Sequence, residues 1–372
     1  IVMKKTPLYQ RHLALKARMV DYAGWDMPVQ YEGITEEVLA VREKVGMFDV
    51  SHMGEILVCG KGSGEFLNWL LSRDVTGKQK DQITYAILCY ENGGTVDDLL
   101  VYELGEENYM LVVNAANKDK DVLHINDSLI TYRDKFSDRE EDIKVIDDSA
   151  YYGQIAVQGP ESLKVMLDLA EELGLDAQET EQLKNLKRYR QIQVDKPGYE
   201  RKMIISRTGY TGENGYEIYL PAELTGEVWD LFYDYGVTPS GLGARDSLRL
   251  EAGLPLYGHE MGEDITPLEG DMSFFVDFSR EFQGGEQMQA RSTRKRIALV
   301  SEGRAIPRDG YPVFLDNEEV GVISSGSFSP TLGKGIAFAL VNTDFPDDTD
   351  EVEVKVRKKF ESFKVIEPPF VK

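Results

Sequence analysis

The apolar residues of this chain change their spacing several times, and the changes mark its elements. Val38, Leu39, Val41 and Val45 recur near helical spacing, which predicts a helix from about Ile34 to Val45. A strand is expected from Gly54 to Cys59, then a helix from Gly64 to Ser72 carrying Phe66, Leu67, Trp69, Leu70 and Leu71. The period then drops to two. Tyr85 to Glu91 and Thr95 to Leu104 read as strands, and Asn92-Gly93-Gly94 between them tolerates positive φ, so a β-hairpin is predicted. Glu107 to Val113 reads as a further strand, Asn117 to Ile125 as a helix, and the acidic stretch Ser137 to Asp142 as a linker closing one small α+β unit.

The middle of the chain repeats the mixture. A helix should begin after Gly159-Pro160, strands should run from Lys202 to Ser206 and from Tyr216 to Leu220, and a helix should pass through Val228-Trp229. From Arg296 onward short strands alternate with turn signals: Ile297 to Val300, Tyr311 to Leu315, Val320 to Ser324, Gly335 to Val341 and Val352 to Val356. That spacing fits a small β-barrel or a sandwich. The fold class expected is α+β with a β-rich tail.

Composition narrows the function. At 372 residues the chain exceeds what one hydrophobic core usually organises. Its 42% hydrophobic and 29% charged residues support folding throughout. The net charge of −23 disfavours a nucleic-acid partner, which needs clustered Lys and Arg. Basic runs at Lys187, Arg188 and Arg190, at Arg294 to Arg296 and at Lys355 to Lys359 read as solvated surface, with a docking patch for an acidic partner as the alternative. Only Cys59 and Cys89 occur, outside any Cys-x-x-Cys pair, which favours a reducing compartment. No signal-peptide pattern follows Ile1-Val2-Met3-Lys4-Lys5 and no run of about 18 apolar residues occurs, so a cytoplasmic protein without membrane contact is expected.

Several chemistries lack their signatures. His12, His52, His124 and His259 are not paired at ligand spacing, so no metal is expected. Gly60-Lys61-Gly62-Ser63-Gly64 lacks Walker A order, Gly241-Leu242-Gly243-Ala244-Arg245-Asp246 lacks the third glycine of a dinucleotide fingerprint, and no Gly-x-Ser-x-Gly elbow occurs. Three neighbourhoods instead combine glycine, aromatic and charged residues. In Gly93-Gly94-Thr95-Val96-Asp97-Asp98 the strand period puts the two carboxylates on opposite faces, so at most one faces a given pocket. In Ser206-Arg207-Thr208-Gly209-Tyr210-Thr211-Gly212-Glu213-Asn214-Gly215-Tyr216-Glu217-Ile218-Tyr219 the same period places Glu217 with Tyr219, opposite Tyr216 and Ile218. In Gly241 to Ala252 a glycine turn opens a helix whose first turn holds Arg245 and Asp246, where amides and a guanidinium can face an anion. Each has a plain structural reading: a solvated bulge, a hairpin and an ordinary helix start.

Their joint occurrence is more specific. With Phe48-Asp49-Val50-Ser51-His52-Met53-Gly54-Glu55, Val112-Val113-Asn114-Ala115-Ala116-Asn117 and Ser325-Gly326-Ser327-Phe328-Ser329-Pro330-Thr331-Leu332-Gly333, they resemble the glycine cleavage T-protein family in family order, from Thr6-Pro7-Leu8-Tyr9 to Pro368-Pro369-Phe370. The resemblance implies a three-domain cloverleaf around a central folate channel. A discontinuous α+β folate-binding domain would take residues 1–53 and 145–280, a ferredoxin-like α+β domain 54–144, and a C-terminal β-barrel domain 281–372. It implies an aminomethyltransferase that moves a one-carbon unit from the lipoylated H-protein to tetrahydrofolate.

Carried over residue by residue, the resemblance makes Asp98 the catalytic carboxylate and Glu217 the pterin-recognition residue. Arg245 matches a folate-contacting Arg, and Tyr210, Tyr85, Met53 and Asn114 match lining positions, with Tyr189 a further aromatic wall. Where relatives carry an Arg after the final Pro-Phe-x, this chain has Lys372, a point charge in place of a bidentate fork. A folate-dependent demethylase on the same fold and a folate-binding assembly factor are the alternatives. The second lacks support, because Phe282-Gln283-Gly284-Gly285-Glu286-Gln287 has no Cys where that signature requires one.

Overall fold

The computed structural model describes residues 3–79 and 81–371. The chain divides into two compact units, one of Ile1–Leu67, Val75–Tyr85 and Leu99–Arg245, the other of Asn68–Asp74, Ala86–Asp98 and Asp246–Lys372.

In the first unit a six-stranded sheet runs in the order Gln191–Val194, Met203–Ser206, Gly215–Pro221, Tyr152–Gln158, Gly46–Asp49 and Thr238–Pro239. All its pairings are antiparallel except the last. One face is apolar. Met47, Ile155, Val157, Ile205, Tyr216, Ile218 and Leu220 bury there with Trp229 and Phe232 of the helix Thr225–Tyr235 and with Val165 and Met166 of the helix Ser162–Asp168. A five-stranded sheet follows the order Ile83–Cys89, Thr95–Gly105, Asn108–Val113, Gly54–Cys59 and Lys144–Asp147. Its Leu57, Met110, Val112 and Tyr102 cluster with Ile204 and Tyr219 of the first sheet.

Gly54–Cys59, Met203–Ser206 and Gly215–Pro221 stand within one residue of the predicted strands. The helix read as Ile34 to Val45 instead ends at Glu43, and a buried strand Gly46–Asp49 begins three residues later. The helix read as Asn117 to Ile125 extends over Lys118–Lys135, because Leu129 and Tyr132 continue its buried stripe. The segment read as a linker is followed by the strand Lys144–Asp147, which pairs with Gly54–Cys59 and so belongs to the same sheet.

The second unit contains a closed antiparallel barrel of Arg294–Ser301, Lys334–Asn342, Glu318–Ser329, Pro312–Leu315, Glu351–Val356 and Lys359–Ile366, the last pairing back with the first. Glu351–Val356 shows the cause: Val352 and Val354 point inward while Glu351, Glu353 and Lys355 are exposed. Lys359–Ile366 is a strand that the sequence pattern did not single out.

The motif Ser325 to Gly333 and the helix Leu242–Glu251 hold each other. Arg249, 2% exposed, donates to Ser325 Oγ at 3.0 Å and pairs with the fully buried Glu260 at 3.3 Å. Ser324 Oγ donates to Glu260 at 2.5 Å, and Glu251 accepts from Ser329 Oγ at 2.5 Å and Thr331 Oγ1 at 2.9 Å. Gly326 permits the packing, since a Cβ there would sit 2.7 Å from the carbonyl oxygen of Pro307. Arg249→Ala strands the Glu260 charge and should cost about 3 to 5 kcal/mol of unfolding free energy in urea. A loss below about 1 kcal/mol would contradict the assignment of this pair as structural.

Candidate functional site

The second face of the six-stranded sheet is polar. Glu217 stands across from Ser206 on one side and Ala156 on the other, and Tyr219 across from Ile204 and Gln154. Directly opposed residues share a face, so Gln154, Ser206, Glu217 and Tyr219 converge on it. Thr208 Oγ1 donates to Glu217 Oε2 at 2.5 Å, and Gln154 Nε2 donates to Glu217 Oε1 at 3.2 Å and to the Tyr219 hydroxyl at 3.0 Å. The Tyr102 hydroxyl meets Ser206 Oγ at 3.1 Å and the Tyr219 hydroxyl at 3.0 Å. Glu217 is only 7% exposed. Burial pushes its pKa up, opposed by the Thr208 hydrogen bond, the Arg245 charge and the Gln154 hydrogen bond. A carboxylate held by one protein donor on each oxygen keeps a second lone pair on each for a flat ligand carrying two parallel N–H groups.

The glycine-rich turn before Glu217 closes over Gln158. Gln158 Nε2 donates to the Thr208 carbonyl at 3.2 Å, and Thr211 Oγ1 donates to Gln158 Oε1 at 2.9 Å. A Cβ at Gly209 would lie 2.0 Å from that amide, which accounts for this glycine. The turn presents Tyr210, over whose ring the Arg245 guanidinium stacks at 4.6 Å. Arg245, Tyr210 and Glu217 are thus brought together as a cation, an aromatic face and a carboxylate. The anion expected at the start of the Arg245 helix is the protein's own. Glu37 Oε2 accepts from Gly241 N at 2.8 Å and Glu37 Oε1 from Tyr31 N at 2.6 Å, so that helix start is already satisfied from within the chain.

The motif Phe48 to Glu55 divides its labour. Asp49 accepts from Thr6 Oγ1 at 2.6 Å, lies 2.8 Å from His12 Nε2 and caps Ser51 N at 2.9 Å, a buried network that ties the amino-terminal helix to the sheet. His52 is 3% exposed; burial and then the Arg245 charge push its pKa down to about 4, against the pull of Asp49. Met53 packs against the Tyr102 and Tyr219 cluster, and Met53 and Asn114 flank the terminal ladder pair of Gly54 with Val113.

Glu55, 1% exposed, lies on the sheet face of Leu57 within the same cluster. Burial, and then Asp147 and Asp148, push its pKa well above the ordinary range. The folded state therefore keeps a proton that the unfolded chain releases, so the stability tied to this group falls as pH rises through and above the ordinary carboxylate value. Glu55→Gln should gain stability on the parent between about pH 5 and about pH 8 in urea denaturation, and a pH-independent difference would refute this.

The remaining predicted residues stand on other elements. Tyr189 is 45% exposed with φ +56°, and its carbonyl accepts from Ile83 N at 2.9 Å, at the head of the strand that carries the half-buried Tyr85. Asp98 belongs to the second unit, half-buried, while its neighbour Asp97 is fully buried, as strand alternation requires. Lys372 lies outside the described residues. Of the basic runs, Arg294 pairs with Glu269 at 3.0 Å and Arg296 with Asp271 at 3.1 Å, so that run is engaged within its own unit. Gln154 was not singled out from sequence, and Thr208, Tyr102 and Tyr219 were given no site role there. Their roles depend on the pairing of strands far apart in the chain.

Among the described residues no three His, Cys, Asp or Glu side chains gather as a metal site, and no helix is long and apolar enough to cross a membrane. The GCVT N-terminal domain family matches residues 8–280, and the glycine cleavage T-protein C-terminal barrel domain family matches residues 294–372. An aminomethyltransferase of Listeria monocytogenes serotype 4b is 43% identical across 99% of this chain and 98% of its own. One from Oceanobacillus iheyensis is 40% identical across 99% of this chain and 98% of its own. The crystal structure of glycine cleavage system aminomethyltransferase T from Bartonella henselae matches with a TM-score of 0.86 at 31% identity, covering 99% of this chain and 98% of that one. With both family domains in sequence and relatives aligned end to end, the chain belongs to the glycine cleavage T-protein family of aminomethyltransferase enzymes.

Proposed function

We propose that this enzyme takes the aminomethyl carbon from the lipoyl arm of the H-protein and delivers it to tetrahydrofolate, giving 5,10-methylenetetrahydrofolate, ammonia and dihydrolipoyl H-protein. The observation that carries the reading is Glu217, a buried carboxylate with Thr208 on one oxygen and Gln154 on the other. A pterin presents a ring N–H and an exocyclic amino group side by side, and the remaining lone pairs of Glu217 match them. Charge-assisted bonds of this kind contribute about 1.5 to 3 kcal/mol each.

In this reading Arg245 and Tyr210 supply a stacked cation and aromatic wall near the ring, and Met53, Asn114, Tyr85 and Tyr189 line the rest of the ligand's path. Asp98 is the catalytic carboxylate. Its negative charge stabilises the positive charge that develops as the aminomethyl carbon parts from sulfur, and it orients the accepting nitrogen. Equilibrium binding of tetrahydrofolate to the intact protein tests the reading. Saturable binding to one site is the expected result; absence of binding would remove the reading.

A further inference from the structure

Two buried amides on the Glu217 face, Gln154 and Gln191, each keep a side-chain oxygen without a hydrogen bond from the protein, and of the two it is Gln154 that bonds Glu217 itself. It stands on the strand Tyr152–Gln158 across from Tyr219 and is 2% exposed. Chemistry sets the orientation of its amide. The atom 3.2 Å from Glu217 Oε1 and 3.0 Å from the Tyr219 hydroxyl is the nitrogen, because a carboxylate accepts and does not donate. The carbonyl oxygen is thereby directed away from both. Gln154 Oε1 is buried and accepts no hydrogen bond from the protein. Proteins seldom leave a buried amide oxygen in that condition, since its desolvation is uncompensated. Beside a carboxylate suited to ligand recognition, the donor that completes it arrives with the ligand.

The identity of that donor follows from the ring. At one end of its recognition edge a pterin carries an exocyclic amino group with two hydrogens. Next to it stands one ring N–H, and beyond that a ring carbonyl. An acceptor placed past Glu217 Oε1 is satisfied by the second amino hydrogen and is repelled by the carbonyl. The geometry points to Gln154 as a second reader of the exocyclic amino group, which fixes the way round the ring binds: amino group toward Gln154 and Glu217 Oε1, ring N–H toward Glu217 Oε2 and Thr208. The inference rests on the folate reading of the Glu217 site. Gln154 touches the substrate in this assignment and sets specificity and orientation.

Two titrations of the intact protein test it. The first uses the parent chain alone with tetrahydrofolate and its 2-methylamino analogue, in which one amino hydrogen is replaced. The analogue should bind about tenfold more weakly or worse, and equal binding would overturn the assignment. The second compares the parent with Gln154→Met, using tetrahydrofolate and its 2-desamino analogue. Loss of Gln154 removes both its Oε1 and the Nε2 donor that holds Glu217 Oε1, so the ratio of the two affinities reads the whole of Gln154's contribution to recognising the amino group. That ratio should fall about tenfold in Gln154→Met, and an unchanged ratio would overturn the assignment. If the parent fails to bind tetrahydrofolate, the folate reading itself falls. If the parent binds, Glu217→Gln does not, and Gln154→Met discriminates as the parent does, only the role of Gln154 falls.

Discussion

Asp98→Asn should reduce turnover by about a hundredfold or more, whereas Asp97→Asn, once folded, should retain much more of it. The two residues are neighbours on the strand Thr95–Gly105, and the strand period separates them completely: Asp97 is 0% exposed and Asp98 is half-buried. A carboxylate sealed in the interior meets no substrate, so replacing Asp97 acts through stability. Replacing Asp98 removes a carboxylate from the position proposed for catalysis while keeping its size. Turnover per folded molecule, with unfolding followed on the same samples, separates the two effects. The reverse ranking would refute the choice of Asp98.

Glu217→Gln should weaken tetrahydrofolate binding by about a hundredfold, close to the loss of two charge-assisted hydrogen bonds less what the amide recovers. The substitution is nearly isosteric, but an amide offers one acceptor oxygen where the carboxylate offers two. It also sets a donor against either Thr208 or Gln154, both of which donate to Glu217 in the parent. Folding should change little or improve, because burial already pushes the Glu217 pKa up and disfavours the ionised form. Equilibrium titration with reduced folate reads the effect directly. Parent-like affinity in Glu217→Gln would exclude it as the recognition carboxylate.

The parts of the molecule legible in its sequence are those where a β-rich run or an alternation is bounded by turn residues. The strand Gly54–Cys59, the barrel strands other than Lys359–Ile366 and the Asn92-Gly93-Gly94 hairpin carry either alternation or turn chemistry, and they stand where these signals put them. Gly46–Asp49 and Tyr152–Gln158 are buried on both faces, so neither shows a period of two, and both are interior strands of the six-stranded sheet. The helix Ala177–Lys184 is largely polar and was not singled out from sequence, although Asp176 and Glu179 form a capping box at its start. Lys144–Asp147 is a four-residue edge strand, too short to carry a pattern.

The site divides the same way. Alternation separates Asp97 from Asp98 and puts Glu217 with Tyr219, and both relations need only local geometry. Arg245 on Tyr210 joins two glycine-rich segments that sequence singled out separately. Gln154 was beyond reach, because its importance comes from register with Tyr219 across a pairing of strands some sixty residues apart. The motif Ser325 to Gly333 carried family identity, and its Ser325, Ser329 and Thr331 hold Arg249 and Glu251 in place. A motif can therefore mark a family through its structural bonds alone.

Product formation from aminomethylated H-protein measures the proposed reaction directly. The intact enzyme, supplied with that protein and tetrahydrofolate, should release ammonia and form 5,10-methylenetetrahydrofolate in equal amounts, with both products falling sharply when tetrahydrofolate is omitted. Failure of the parent enzyme to form either product from this donor, while it turns over a small methylated amine with the same folate, would contradict the account.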